Sequence, residues 1–168
     1  MVLAELQANF EQALTDLTGE RRWSSFRNAL SLNVVAEQLL AVMQRLRVAG
    51  LDMLIDVTVV DLLEYTGATD RYRLAYQLLS TESGVRLEVT THVNDPEPQV
   101  PSMTSVWASA DWMEREAYDM FGVVFAGHPN PKRLLLPVEF TSFPLRKDYP
   151  VKGRGERHNF PVIVRSES

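Results

Sequence analysis

Three carboxylates, one arginine, one histidine and four aromatic rings fall within eighteen residues, Trp112 to Pro129, reading WMEREAYDMFGVVFAGHP. Such groups can run acid–base chemistry, with Glu114 or His128 as the acid or base of a hydrolase. Glu114, Glu116, Asp119 and His128 could also offer oxygen and nitrogen ligands to a metal ion. On a helix, however, Glu114 and Glu116 point about 200° apart and cannot converge. No H-x-x-x-H or H-x-E pattern involves His92, His128 or His158, so no resident metal is expected. His128 precedes Pro129 and suits a turn that satisfies local backbone. The chain has no G-x-S-x-G nucleophile elbow and neither glycine-rich phosphate loop, and Ser102, Ser105 and Ser109 read as cap and helix-start residues. No catalytic residue is expected in the isolated chain.

The element that must position these groups is a helix that follows Pro101–Ser102, running from Met103 to Phe121 and stopped by Gly122. Helical winding places Met103, Val106, Trp107, Ala110, Ala117, Tyr118 and Phe121 on one stripe, with Glu114 in its middle. Trp112, Glu116 and Asp119 fall on the opposite side. Three readings of Glu114 stand open: a desolvated carboxylate with a raised pKa, the partner of Asp111 in a capping box, or a buried acid paired with Arg133 or Arg146. Arg115 is four residues from both Asp111 and Asp119 and is placed to bridge them. Trp112 either lies under the C-terminal segment or anchors a protein interface.

Further elements surround that helix. Apolar spacing predicts helices over 2–17 and from a cap at Asn33 to Gly50. Alternating, β-branched runs predict strands over Leu54–Val60, Tyr72–Leu79 and Val85–His92, the last two joined as an antiparallel hairpin through STESG. NDPEPQVP, residues 94–101, is expected to be a loop throughout. Six prolines punctuate the chain from Pro129 to Pro161, with only short apolar runs between them, which gives 132–168 the composition of an extended basic strap. The predicted architecture is α+β: N-terminal helices on a small mixed or antiparallel sheet, one further helix, and the strap. Residues 1–131 form the α+β domain, and 132–168 are not an independent one.

Composition narrows the function. A 168-residue chain that is 45% hydrophobic and 23% charged is an ordinary single globular domain. It has no cysteine, which excludes disulfides, thiolate nucleophiles, Cys-ligated zinc and ordinary iron–sulfur ligation. Residues 1–131 hold 9 Lys/Arg against 18 Asp/Glu, whereas 132–168 hold 8 against 4. An acidic body with a basic tail argues against nucleic acid and favours a tail docked on an acidic surface, the chain's own or a partner's. The N-terminus carries Glu5 and Glu11 before its first basic residue, Arg21, so neither a secretory nor a transit signal is expected there.

The string from Trp112 to Pro129, followed by KRLLLP at 132–137 and PLRKDYP at 144–150, resembles the C subunit of proton-pumping NADH–quinone oxidoreductase, the bacterial respiratory complex I. That family includes the mitochondrial iron–sulfur protein 3 subunit and the J subunit of chloroplasts and cyanobacteria. The similarity extends over about residues 30–150 and takes in DMLIDVTVVD and RYRLAYQLLS. It implies a non-catalytic peripheral-arm subunit that docks on the subunit forming the quinone pocket and helping to surround the terminal cluster. Iron–sulfur clusters, FMN, NADH and quinone would reside in partner subunits, none of them on this chain. The chain would meet the membrane only through the complex, on the cytoplasmic side of the bacterial inner membrane. In this reading Trp112, Glu114, Arg115, Glu116, Asp119 and His128 serve structure and interface, Arg133, Arg146, Lys147 and Asp148 continue the charge network into the strap, and Glu114 pairs with a strap arginine. Two departures, Val138–Phe143 in place of the family's acidic and Gly-His residues, and Pro131 in place of an apolar one, bear on the electron donor rather than the family. The competing functions are a free-standing hydrolase using Glu114 or His128 and an assembly factor of a related redox complex.

Overall fold

Alternation of apolar and polar side chains builds the sheet. In a computed structural model, which describes residues 3–27 and 29–155, five strands lie in the order β1-β2-β5-β4-β3. They are β1 (Arg21–Phe26), β2 (Ala29–Val34), β3 (Met53–Asp61), β4 (Tyr72–Leu79) and β5 (Arg86–Val93). All neighbours are antiparallel except β2 and β5, which run parallel. The sheet is therefore mixed, and with three helices the chain is α+β. Period 2 sends Leu30, Leu32, Val34, Val57, Val59, Leu74, Tyr76, Leu87 and Val89 to one face, where all are buried. The other face carries Ser31, Arg73, Gln77 and Glu88, joined through the Glu88 carboxylate, and Asn33, which bonds Thr90.

Helices cover the apolar face. The first, α1 (Leu3–Ala13), contributes Phe10. In α2 (Leu39–Val48) the buried Leu39, Val42, Met43 and Leu46 recur at helical spacing, each worth about 1.5–3 kcal/mol relative to exposure. The third, α3 (Ala110–Phe121), packs against β3 and buries the small side chains of Ala110 and Ala117. A separate parallel pair, β6 (Gln99–Pro101) and β7 (Val124–Ala126), brackets α3 at both ends of its sequence.

Several boundaries differ from the sequence expectation. The helix expected from Asn33 starts at Leu39, after a 3-10 turn at Ala36–Gln38, and Asn33 belongs to β2. There its amide reaches Thr90 across the sheet rather than capping a helix. Strands β1 and β2 were not anticipated, although Leu30, Leu32 and Val34 alternate as a strand should. The helix expected from Met103 begins only at Ala110, because residues 103–108 form turns closed by N–H groups of Val106 and Trp107 on the Met103 carbonyl. The expected strands and the hairpin are present, with Gly84 at φ 71° in the turn.

Beyond β7, residues 132–155 contain no helix or strand, and the rest of the predicted strap, 156–168, lies outside the described residues. This segment returns across the C-terminal end of α3. Gly122 ends that helix at φ 75°, and a Cβ there would lie 2.6 Å from the Phe143 ring and 2.7 Å from the Arg146 guanidinium. Gly67 also has positive φ, 90°, but faces open space. Gly122→Ala is therefore expected to cost more than about 1 kcal/mol and more than Gly67→Ala, which carries only the backbone strain. Urea unfolding of the two variants measures the difference.

Candidate functional site

Asp119 in α3 is fully buried, and what buries it is the segment after Pro131. Its Oδ2 accepts the backbone N–H groups of Leu134, Leu135 and Leu136 at 3.0, 2.7 and 2.8 Å. Arg133 Nη1 donates to Oδ1 at 2.7 Å, and Nη2 donates to the Ser142 carbonyl. Burial acts most strongly and pushes the carboxyl up, but these four donors together hold it below the usual carboxylate range. Of the three residues placed opposite the apolar stripe, Asp119 is the one that the strap buries, and Arg133 is its partner there. Helical winding describes the face left open by the preceding core, and here a later segment covers it.

Glu114 is buried as the apolar stripe required, yet among the described residues it pairs with no arginine and forms no capping box. Its Oε1 accepts the Met103 N–H and its Oε2 accepts the Ser102 hydroxyl, both at 2.6 Å. Helix α3 has Ser109 at its N-cap position, with no side-chain cap bond. Arg133 and Arg146 are committed elsewhere. A continuous helix from Ser102 would hold Ser102 about 18 Å from Glu114 along the axis; the turns at 103–108 fold it back into contact. Burial dominates and raises the Glu114 pKa, opposed by the Ser102 and Met103 donors and the nearby His128.

A second buried acid, Asp61 at the end of β3, ties the same segment to the sheet. Arg71 donates to both of its oxygens, at 3.3 and 3.2 Å, and the Lys147 backbone N–H donates to Oδ2 at 2.8 Å. Arg71 also pairs with Asp95 at 2.6 Å and with Asp148 at 2.9 Å. Arg146 donates to the Phe121 carbonyl at 2.6 Å, and its guanidinium lies over the Tyr72 and Phe143 rings. Lys147, Asp148 and Arg146 therefore gather at Asp61, Arg71 and Asp95 rather than at Glu114. Sequence reasoning missed this cluster. Its signal was parity: Asp61 continues the inward positions Val57 and Val59, and an acid on an apolar face needs a cation.

Of the remaining candidates, Trp112 and Glu116 are exposed, Arg115 is half-buried and His128 is buried. Arg115 does not bridge Asp111 and Asp119; it donates to the carbonyls of Lys132 and Arg133 at 2.9 and 3.2 Å and stacks 5.3 Å from the centre of the Trp112 ring. Trp112 is 62% exposed, so the described strap does not cover it. Glu116 is exposed. His128 is buried; its Nδ1 accepts the Asn130 N–H at 3.0 Å, and its Nε2 faces the Asp111 carbonyl at 3.1 Å. Among the described residues, no group of three or more His, Asp or Glu could hold a metal ion. A hydrolytic Glu114–His128 pair finds no support, since both carboxylate oxygens and both ring nitrogens are engaged by the chain's own groups.

The family described as the 30 Kd subunit of respiratory-chain NADH dehydrogenase matches residues 32–155, which include α3, the contacts of Asp61 and Asp119, and the strap's described part. The chain belongs to this family. A relative from Citrifermentans bemidjiense, the C subunit of its NADH-quinone oxidoreductase, is 38% identical over 152 residues, covering 90% of this chain and 89% of that one. The solved trypsin-resistant fragment of Nqo5, residues 1–134, superposes with a TM-score of 0.67 at 29% identity and covers 74% of this chain and 98% of that one. A chain of the membrane-bound sulfane sulfur reductase, an archaeal respiratory membrane complex, shares the fold over 98% of this chain and 96% of that one, with a TM-score of 0.74 at 20% identity. This complex I subunit thus uses the charged residues of its family motif to hold its own helix, turn and strap together.

Two outcomes follow for this subunit. Asp119→Ala is expected to cost about 3–5 kcal/mol, as breaking a buried pair does, and to expose residues 132–147 to trypsin; proteolysis followed by mass spectrometry reads it. The pH responses of the two acids have opposite signs. The folded-state pKa of Glu114 is above its ordinary 4.5, so its contribution is present below that value and lost as pH rises. The Asp119 pKa is below its ordinary 3.8, so its contribution is present above that value and lost as pH falls. Urea unfolding across pH should show the advantage of wild type over Glu114→Gln shrinking with rising pH, and its advantage over Asp119→Asn growing.

Proposed function

We propose that this chain is a non-catalytic scaffold of the peripheral arm of proton-pumping NADH–quinone oxidoreductase, docked on the subunit that forms the quinone pocket and borders the terminal cluster. The observation that carries this reading is the family match over 32–155, taken with a motif whose buried polar groups bond to the chain itself. Iron–sulfur clusters, FMN, NADH and quinone belong in this reading to partner subunits. A chain without cysteine offers no thiolate to a cluster, and its buried acids are already engaged. No described helix is long and apolar enough to cross a membrane, and the chain reaches the cytoplasmic face of the bacterial inner membrane through its partners. Its contribution to electron transfer is to fix the geometry of the subunits that carry electrons.

Affinity purification of a tagged copy from native membranes in mild detergent tests this. The expected result is stoichiometric recovery with iron–sulfur subunits and NADH–quinone reductase activity, and no activity in the chain purified alone. Recovery of the chain alone from membranes that retain an intact complex would contradict it.

A further inference from the structure

Strand β3 is one edge of the sheet, and two hydrogen bonds fix which of its backbone groups face outward. The Leu54 carbonyl accepts the Ser109 hydroxyl at 3.2 Å and so points away from β4. The Leu62 N–H donates to the Arg71 carbonyl at 2.6 Å and so points toward the β4 side. In an antiparallel ladder these directions alternate residue by residue, and the extra residue at the bulge between Leu54 and Asp56 keeps the two observations in step. Asp56, Thr58 and Val60 therefore bond to β4, and the N–H and C=O groups of Val57 and Val59 point out of the sheet. Other segments occupy the two ends of this edge. Trp107 Nε1 and the Ser109 hydroxyl reach the Asp52 and Leu54 carbonyls at one end, and the Lys147 N–H reaches the Asp61 side chain at the other. Among the described residues nothing bonds to the four outward groups between them.

A groove of about 300 Å³ lies against these groups. Its floor is Asp56–Val59, and its wall is Glu116, Ala117, Met120 and Phe121 of α3 with Leu145 of the strap. Sheet edges are ordinarily blunted by charged side chains, proline or short length. The opposite edge, β1, is six residues long and begins with Arg21 and Arg22. Strand β3 runs for nine residues without lysine, arginine or proline, and leaves Ile55 36% and Val60 40% exposed. Asp56 on the floor and Glu116 on the wall are both exposed, and no lysine, arginine or histidine lines the groove. Neither acid has an ion-pair partner among the described residues.

We propose that the free edge of β3 takes one extended segment of a neighbouring subunit as an added strand, with a lysine or arginine of that segment beside Asp56 and Glu116. The inference rests on the subunit reading above and adds to it the place and mode of one contact. The four open groups supply the bonds of one further ladder, which gives affinity whatever the side chains. Pleating turns alternate side chains of the added strand toward Ala117, Met120 and Phe121, and the others to the open face beside Thr58. The two acids favour a basic segment over a neutral or acidic one. Being exposed, they are reached without breaking any bond of the chain itself.

Residue-resolved hydrogen exchange on the full chain alone and on the whole complex tests this, with the Thr58 and Val60 amides, bonded to β4, as references in the same strand. In the chain alone Val57 and Val59 should exchange fast and Thr58 and Val60 slowly. In the complex all four should be slow, with Val57 and Val59 slowed roughly tenfold or more. A complex carrying Asp56→Lys with Glu116→Lys should return fast exchange to Val57 and Val59 while Thr58 and Val60 stay slow. One carrying Glu82→Lys, at an exposed acid outside the groove, should behave as wild type. If Val57 and Val59 stay fast in the complex, are already slow in the chain alone, or ignore the double reversal, the added strand is overturned and the subunit reading stands. If the chain is absent from the complex, both fall.

Discussion

Three backbone N–H groups and one guanidinium converge on the buried carboxylate of Asp119, and the path of the chain after Pro131 depends on that convergence. A segment with several prolines and no regular structure has no ladder in which to satisfy its own amides. Here a single side chain of α3 satisfies three consecutive ones. The carboxylate needs those donors as much as they need it, because burial alone would drive it toward the neutral form.

The other buried acids extend the same arrangement with different partners. Asp61 joins the end of β3 to Arg71 and to the Lys147 amide, so the strap is fastened at one site on the helix and at another on the sheet. Glu114 fastens the turn after β6 to α3 through Ser102 and Met103. Between these points Gly122 gives Phe143 and Arg146 room to approach the helix end. Of the basic side chains after Pro131, Arg133 and Arg146 face acids of the chain's own body, Asp119 and Asp95. Trp112, on the exposed side of α3, is covered by none of these contacts.

Much of the sheet was legible because burial on one face imposes a period of 2, plain in LIDVTVV and in YRLAYQLL. The apolar positions of α2 were equally clear, although its start was misplaced because Asn33, a residue of β2, has the side chain of a helix cap. The family was legible from Trp112 to Pro150. The partners of its charged residues were not, for two physical reasons. Periodicity assigns faces relative to one core, so it could not reveal that residues 133–136 bury Asp119. It also extends a helix through any compatible run, so it hid the turns that bring Ser102 to Glu114. Asp61 and Arg71 were within reach of a parity argument that asks which inward positions carry charge.

In the reading proposed above, a chain with no thiolate, and with its buried carboxylates engaged, serves a redox enzyme by fixing shape. That account stands or falls on the clamp at Asp119. Native-state hydrogen exchange of the Leu134, Leu135 and Leu136 amides measures it directly. The account requires these three amides to be protected as strongly as those in the core strands β4 and β5, opening only with the whole domain. Exchange at the rate of an open loop, with the sheet amides still protected, would contradict it.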